Sequence, residues 1–524
     1  MITVKAKVFP FFILTLVAVL FITPFLHKDI MVDEDLIITP LRSVQSISDY
    51  IEKLQTRKIP DFQPLRDITH FLDITIEKTL NFSKIHLLTN FVLFLLTLLS
   101  YNFFLRNYIS LKMANIGSIL LTVHPAFIQP FYEPTQRKHI LSLLLLINTL
   151  NLVMASKRKV SSLVTYFLML SSHIINAFIP LIWITEKRRS LRSLIPYIGM
   201  LALFALANLF MYKAFFFEND EAFYSLDWGK LAIAISLFFR QFFFPFKFST
   251  YYNLSDFNNL IFLLPGLLFF ILLFKKNKSV FMFVTLSLLS IFSLLYISKS
   301  NVYNLYYYNS YFLGFGIILL TGVLVAVKDL LKGKMTWFLV PIALALFSSS
   351  LYYSSIRTDK YSLYQKNFEL EPNCRLAEWL SVETIKQGRL KNVGKYPGWW
   401  MNNKCQPQLQ KYTFFFIQAH FYLEHPSISY EQKKAYIENV FPNKLDQFIL
   451  QTYLSQHSET LIDENSFIQK LPKSKTNSIF IKNSYIPSQI KSKIKADKNR
   501  DQFEKFIYEM NKKPIAIEIR GLER

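Results

Sequence analysis

The sequence predicts an all-α polytopic membrane protein that continues into a helical outer domain; three observations predict this. The 524 residues are 52% hydrophobic and 16% aromatic with a positive mean hydropathy, an apolar excess over ordinary soluble domains. Apolar runs near the length of a membrane-crossing helix recur from residue 8 to about residue 353. Beyond residue 355 they stop, and polar and charged residues take over. The reading therefore has two parts: a transmembrane domain at 1–355 with a first outer loop at 27–84, and an extracytoplasmic helical domain at 356–524.

The first run, 8–26, follows Lys5 and Lys7 and closes on Thr23-Pro24-Phe25-Leu26-His27, which lacks a small-x-small cleavage site. It reads as an uncleaved anchor with its N-terminus inside. Further runs lie at 86–105, 109–128, 140–155, 161–185, 194–217, 231–246, 260–274, 280–297, 311–327 and 337–353. Short basic loops orient them: Ser156-Lys157-Arg158-Lys159, Lys187-Arg188-Arg189 with Arg192, Lys275-Lys276-Asn277-Lys278, and 328–334 belong on the cytoplasmic side. Glu218-Asn219-Asp220-Glu221 then falls outside.

Keeping both ends of 161–185 inside makes that run go out and return as two short helices turning at Ser171-Ser172-His173. A single span is the alternative, with Lys187-Arg188-Arg189 outside. On the first path 231–246 lies in the interface, with Arg240 and Lys247 snorkelling. Both paths give about 11 spans, an inner N-terminus and an outer C-terminal domain, the topology of a bacterial inner-membrane protein with a periplasmic tail.

In the first outer loop, 46–56 and 65–79 have the apolar spacing of amphipathic surface helices. With 129–138, the His173 turn, 218–229 and 299–310 they can roof one outward-facing cavity. The tail reads as helices at 359–368, 375–388, 409–423, 431–440 and 444–456, then a Lys/Ser/Asn-rich stretch at 474–498. Cys374 and Cys405 lie in this outer domain, where an oxidising compartment permits a bridge without establishing one.

Lysine and arginine outnumber acids by 59 to 36, but the excess sits in short loops and in the tail, where lipid headgroups are sufficient partners. Nucleic acid is not an expected partner. No G-x-x-x-x-G-K-[ST] or G-x-G-x-x-G stretch supports soluble-type nucleotide binding, and no Cys/His spacing suggests zinc. Three consecutive acids, Asp33-Glu34-Asp35, follow the first run. They are either a solvated loop start or a carboxylate site that serves as general base or as anchor for a cation or hydroxyl group.

Several stretches, taken in order, carry a resemblance. Val32-Asp33-Glu34-Asp35-Leu36-Ile37, Phe62-Gln63-Pro64-Leu65, His86-Leu87-Leu88-Thr89-Asn90, Leu120-Leu121-Thr122-Val123-His124-Pro125 and Arg137-Lys138 look like successive motifs of the GT-C membrane glycosyltransferases. The group they resemble is the TMTC-like O-mannosyltransferases with tetratricopeptide tails. Residues 357–389, with Tyr364-Gln365 and Glu371-Pro372-Asn373, look like that group's passage into a first tetratricopeptide-like pair, although no repeat of about 34 residues is evident afterwards.

The resemblance implies transfer of a sugar from a polyprenyl-phosphate donor to a protein or envelope-glycan acceptor on the outer face. Asp33 or Asp35 is then the base, with Glu34 beside them, and Arg66, Arg137, Lys138, His139 and His173 are phosphate ligands. His124 and Tyr307 complete the substrate-facing set. No cofactor is required, while Mg²⁺ or Mn²⁺ on the carboxylates is chemically open.

Structural readings stand beside these roles. Lipid headgroups suffice for Arg137 and Lys138, and His124 before Pro125 suits a helix cap. His86 and Asn90 suit hydrogen bonds between spans, and Tyr303 to Tyr308 suit an interfacial belt. Gln63 stands where the group has Arg, Gln129 and Gln136 where it has Glu, and His139 where it has Asp. Ser172-His173-Ile174 and 303–310 also lack the group's charges. A non-catalytic envelope scaffold acting through the tail is therefore the alternative function. A transporter has little support, since intramembrane charges are few and no inverted repeat is apparent.

Overall fold

The computed structural model describes residues 2–27, 38, 41–56, 63–155, 159–188, 191–212, 228–245, 257–297, 306–328, 339–357, 359–370, 372, 374–386, 396 and 429–434. Every regular element among them is helical. Contacts divide the chain into two units, Met1–Glu371 and Pro372–Arg524.

The first unit opens with α1 (Ile2–Leu26), which buries Ile13, Val17, Leu20 and Phe21. Helix α2 (Ile47–Thr56) starts at a reciprocal cap: Asp49 N–H donates to Ser46 Oγ at 3.1 Å, and Ser46 N–H donates to Asp49 Oδ2 at 3.1 Å. Helix α3 (Pro64–Leu80) begins on a proline, whose missing N–H costs nothing there, and stops at Asn81 in the left-handed region with φ 50°. These two helices match the amphipathic segments expected in the first outer loop.

Helix α4 (Ile85–Leu105) presents Val92, Leu96, Leu99 and Phe103 outward on one stripe and buries Asn90, Phe94, Thr97 and Tyr101. Next come α5 (Leu111–Val123), α6 (Pro125–Ile128), two 3-10 turns at Gln129–Tyr132 and Pro134–Gln136, and α7 (Arg137–Met154). Pro125, which cannot continue the α5 ladder, sets the break, and the two arms bend by 69°.

The apolar run 161–185 divides at His173 into α8 (Lys159–Ser172) and α9 (Phe178–Arg188), joined by a 3-10 turn at Ile174–Asn176. Helices α10 (Ile195–Tyr212), α11 (Trp228–Phe243), α12 (Leu263–Lys276), α13 (Lys278–Ile297), α14 (Tyr306–Val327), α15 (Leu339–Ser355) and α16 (Lys360–Leu370) complete the unit. Arg240 on α11, half-buried, donates from Nη1 to Asn259 Oδ1 at 2.9 Å, and its guanidinium lies over Phe262; Lys247 lies outside the described residues.

Among the described residues, three helices are long and apolar enough to cross a membrane: Ile85–Leu105, Pro134–Met154 and Asn258–Lys276. The bent α5–α6 pair makes a fourth if it is one span. Within the described residues, shorter apolar helical stretches of 10–17 residues lie in α1, α8, α9, α10, α13, α14 and α15.

In the second unit, α17 (Cys374–Lys386) buries Leu376, Ala377, Leu380, Ser381 and Thr384 along one face. The expected helix at 431–440 is described only to Lys434, and those at 409–423 and 444–456, the stretch 474–498 and Cys405 lie outside the described residues.

One close approach ties the bundle to the His173 turn. A Cβ on Gly314 of α14 would collide with Asn176 Oδ1, and Asn176 Nδ2 in turn donates to Ser142 Oγ at 3.0 Å. Gly199 of α10, by contrast, has open space around it. In detergent, Gly314→Ala is expected to cost about 1–3 kcal/mol of stability by overpacking. Gly199→Ala should leave stability unchanged or raise it by up to about 1 kcal/mol. Paired thermal melts of the two variants check the contrast.

Candidate functional site

Helix α3 is amphipathic in an unusual sense. Arg66, His70, Asp73 and Glu77 recur at helical spacing on the stripe that faces the bundle, while Ile68, Phe71, Leu72 and Ile76 are exposed on the other side. Arg66, Asp67, His70 and Asp73 are each no more than 3% exposed. The helix packs against α4, α7 and α8, so its charges meet whatever those helices offer.

They meet Arg137 in the first turn of α7. Its Nη1 lies 2.6 Å from Asp73 Oδ2, Nη2 donates to the His86 carbonyl at 2.8 Å, and Nε donates to Asn90 Oδ1 at 3.0 Å. Asn90 Nδ2 reaches the carbonyls of Phe131 at 3.2 Å and Glu133 at 3.3 Å. Asp73 also faces His86 Nδ1 at 3.1 Å and accepts from Thr89 Oγ1 at 2.7 Å. Burial by itself would raise the Asp73 pKa. The His86 hydrogen bond, the Arg137 charge and the Thr89 hydroxyl together outweigh burial and hold the carboxyl below its ordinary value.

Two turns earlier, Arg66 folds onto its neighbour, with Nε and Nη2 at 2.8 and 2.7 Å from Asp67 Oδ1; Tyr50 donates to Asp67 Oδ2 at 2.9 Å. Beyond this pair lies a second cluster. The His139 and His173 rings are 4.4 Å apart, and Arg66 and Lys138 both act electrostatically on His139. His173 is held by its own backbone: its Nδ1 accepts from the Ile175 N–H at 3.1 Å and its carbonyl accepts from Ser142 Oγ at 3.1 Å.

Four residues singled out from sequence, Arg66, Lys138, His139 and His173, thus share one neighbourhood. Arg137 stands beside it, engaged by Asp73. His124 is elsewhere. It caps α6, with Nδ1 accepting from the Ala126 N–H at 3.2 Å and Nε2 lying 3.1 Å from the Phe242 carbonyl. Asp33, Glu34 and Asp35 lie outside the described residues, as does the side chain of Tyr307 on α14.

Compared with protein-family models, curated proteins and solved structures, the chain matches none. The site is therefore read from its own chemistry.

Sequence reasoning missed Asp67, His70, Asp73 and Glu77. Their signal was present in the spacing of Arg66, His70, Asp73 and Glu77, which puts four ionisable groups on one stripe of a helix whose other stripe is apolar. His70, Asp73 and His86 place potential ligand atoms within 4.8 Å of one another. A separate buried pair, Glu133 Oε2 with Arg357 Nη2 at 3.2 Å, joins the segment before α7 to the residue just beyond α15.

Breaking a buried pair from one side leaves an uncompensated charge. Asp73→Leu and Arg137→Met are each expected to cost about 3–5 kcal/mol. The double variant should cost less than the sum, with a coupling of about 0.5–3 kcal/mol. Denaturant melts of the four proteins in one detergent measure that coupling.

Proposed function

We propose that the chain is a membrane glycosyltransferase of GT-C type, with about 11 spans on the topology given above. It moves a sugar from a polyprenyl-phosphate donor to a protein or envelope-glycan acceptor on the outer face of a bacterial inner membrane. The observation that carries this reading is the buried His139–His173 ring pair, 4.4 Å apart, at the helix start that also carries Arg137 and Lys138. Ionisable groups buried among apolar helices are expensive and typically functional. The apolar outer stripe of α3 also supports a helix lying against lipid.

In this reading Asp33 or Asp35 takes the proton from an acceptor hydroxyl. The hydroxyl oxygen forms the new bond to the anomeric carbon as the bond from that carbon to the phosphate oxygen breaks. The electron pair leaves on the lipid phosphate, where Arg66, Lys138 and the imidazoles stabilise the added charge. The reaction needs no cofactor.

The scaffold alternative draws on one observation: Asp67 and Asp73 already neutralise Arg66 and Arg137. Mass spectrometry of envelope glycans and glycoproteins separates the two readings, comparing cells lacking the protein with cells complemented at equal membrane abundance. For a transferase, a sugar-sized mass disappears in the deletion and returns with wild type. Asp33→Asn/Asp35→Asn and Lys138→Ala should each restore it at least about tenfold less well, a conservative share of general-base and charge-stabilising effects. Equal restoration by the acidic-triplet variant moves the assignment to the scaffold.

A further inference from the structure

We infer that His70, Asp73 and His86 form a three-ligand site for one Zn²⁺-class ion that pins the first-loop helix to α4, with Glu77 facing the other ring nitrogen of His86 from outside the site. This goes beyond the transferase reading and does not depend on it.

Three observations converge. His70, Asp73 and Glu77 occur at i, i+3 and i+7, hence on one face of α3, and that face is the one turned to the start of α4. His86 begins the next helix and meets them: its ring centroid is 5.6 Å from that of His70, its Nδ1 is 3.1 Å from Asp73 Oδ2, and its Nε2 is 3.7 Å from Glu77 Oε2. The three buried residues already hold potential ligand atoms within 4.8 Å. Ligands at about 2.0–2.2 Å in a tetrahedral shell sit roughly 3.4 Å apart, so closure asks for about an ångström of side-chain movement.

The donor set selects the ion. Two imidazoles with carboxylate suit zinc and its transition-metal neighbours, whereas Mg²⁺ and Ca²⁺ prefer all-oxygen shells. The hydrogen bond between His86 and Asp73 already brings one imidazole to the carboxylate, and His70 adds a second ring within ligand reach of both.

Charge can be balanced locally. The ion is balanced by Asp73, while Glu77, 3.0 Å from Arg42, stays on the far edge of the His86 ring. Arg137 keeps the His86 carbonyl and the Asn90 side chain as acceptors whichever Asp73 oxygen the ion takes. Those contacts also orient the ligands from outside, as supporting hydrogen bonds do in metal sites.

The experiment uses the full chain, purified in detergent without a histidine tag and dialysed against micromolar zinc. Elemental analysis should find close to one zinc per chain. Chelation should lower the melting temperature, with recovery on adding Zn²⁺ and none on adding Mg²⁺. Cobalt loading gives a second readout, visible d–d absorption, which requires a built site. His70→Ala leaves the Asp73–Arg137 pair intact, so the variant should fold and yet bind at least tenfold more weakly and lose the cobalt spectrum. A wild-type chain that retains no zinc and shows no cobalt absorption overturns the inference. So does a His70→Ala chain that binds as wild type.

Discussion

The contact between Asp73 and Arg137 is the constraint on which the described bundle depends. Arg137 opens α7 and is fully buried, so each of its donors needs an acceptor inside the protein. The acceptors come from two directions, a carboxylate on α3 and an amide and a carbonyl on α4. A buried pair of this kind adds little net stability over an apolar substitute. Its effect is to fix relative position, because both charges are met only when α3 and α7 bring Asp73 and Arg137 together beside α4. The neighbouring histidines inherit their places from that register.

The rest of the first unit is joined by a different device. Ser350 donates to the Val123 carbonyl at 2.7 Å and Ser354 to the Leu20 carbonyl at 2.7 Å, so α15 is fastened to the ends of α5 and α1 through single hydroxyls. Tyr101 adds a bond to the Thr321 hydroxyl at 3.2 Å. Where the surroundings are apolar on both sides of a helix, burial does not discriminate among helix faces, and such polar contacts with close small-residue packing set the arrangement. The approach of Gly314 to Asn176 belongs to the same logic.

Much of the fold was legible from the chain. Apolar run length and loop composition pointed to helices throughout, and a Ser-Ser-His interruption marked the break between α8 and α9. The two first-loop helices followed from their spacing. The site was half legible. Basic residues at 137–139 and His173 stand out because charge is rare in apolar sequence, and the structure brings them together with Arg66. Their acidic partners were hidden because α3 read as an ordinary surface helix, whose charged stripe would face water. Only the packing reveals that the stripe is turned inward. His124 showed the converse: a histidine before proline carries a cap signal, and the structure uses it so.

Glu133 and Arg357 meet although 224 residues separate them, one ahead of α7 and the other just past α15. The Asp73–Arg137 pair is complete once α7 has emerged, whereas Glu133 must wait for nearly the whole first unit. At about 5–20 residues per second that interval is roughly 10–45 s. During synthesis, then, this glutamate has the Thr135 hydroxyl but not yet its arginine, while Asp73 is already paired. The last helices are what close the first half of the protein, which makes the order of assembly a property written into the ion pairs.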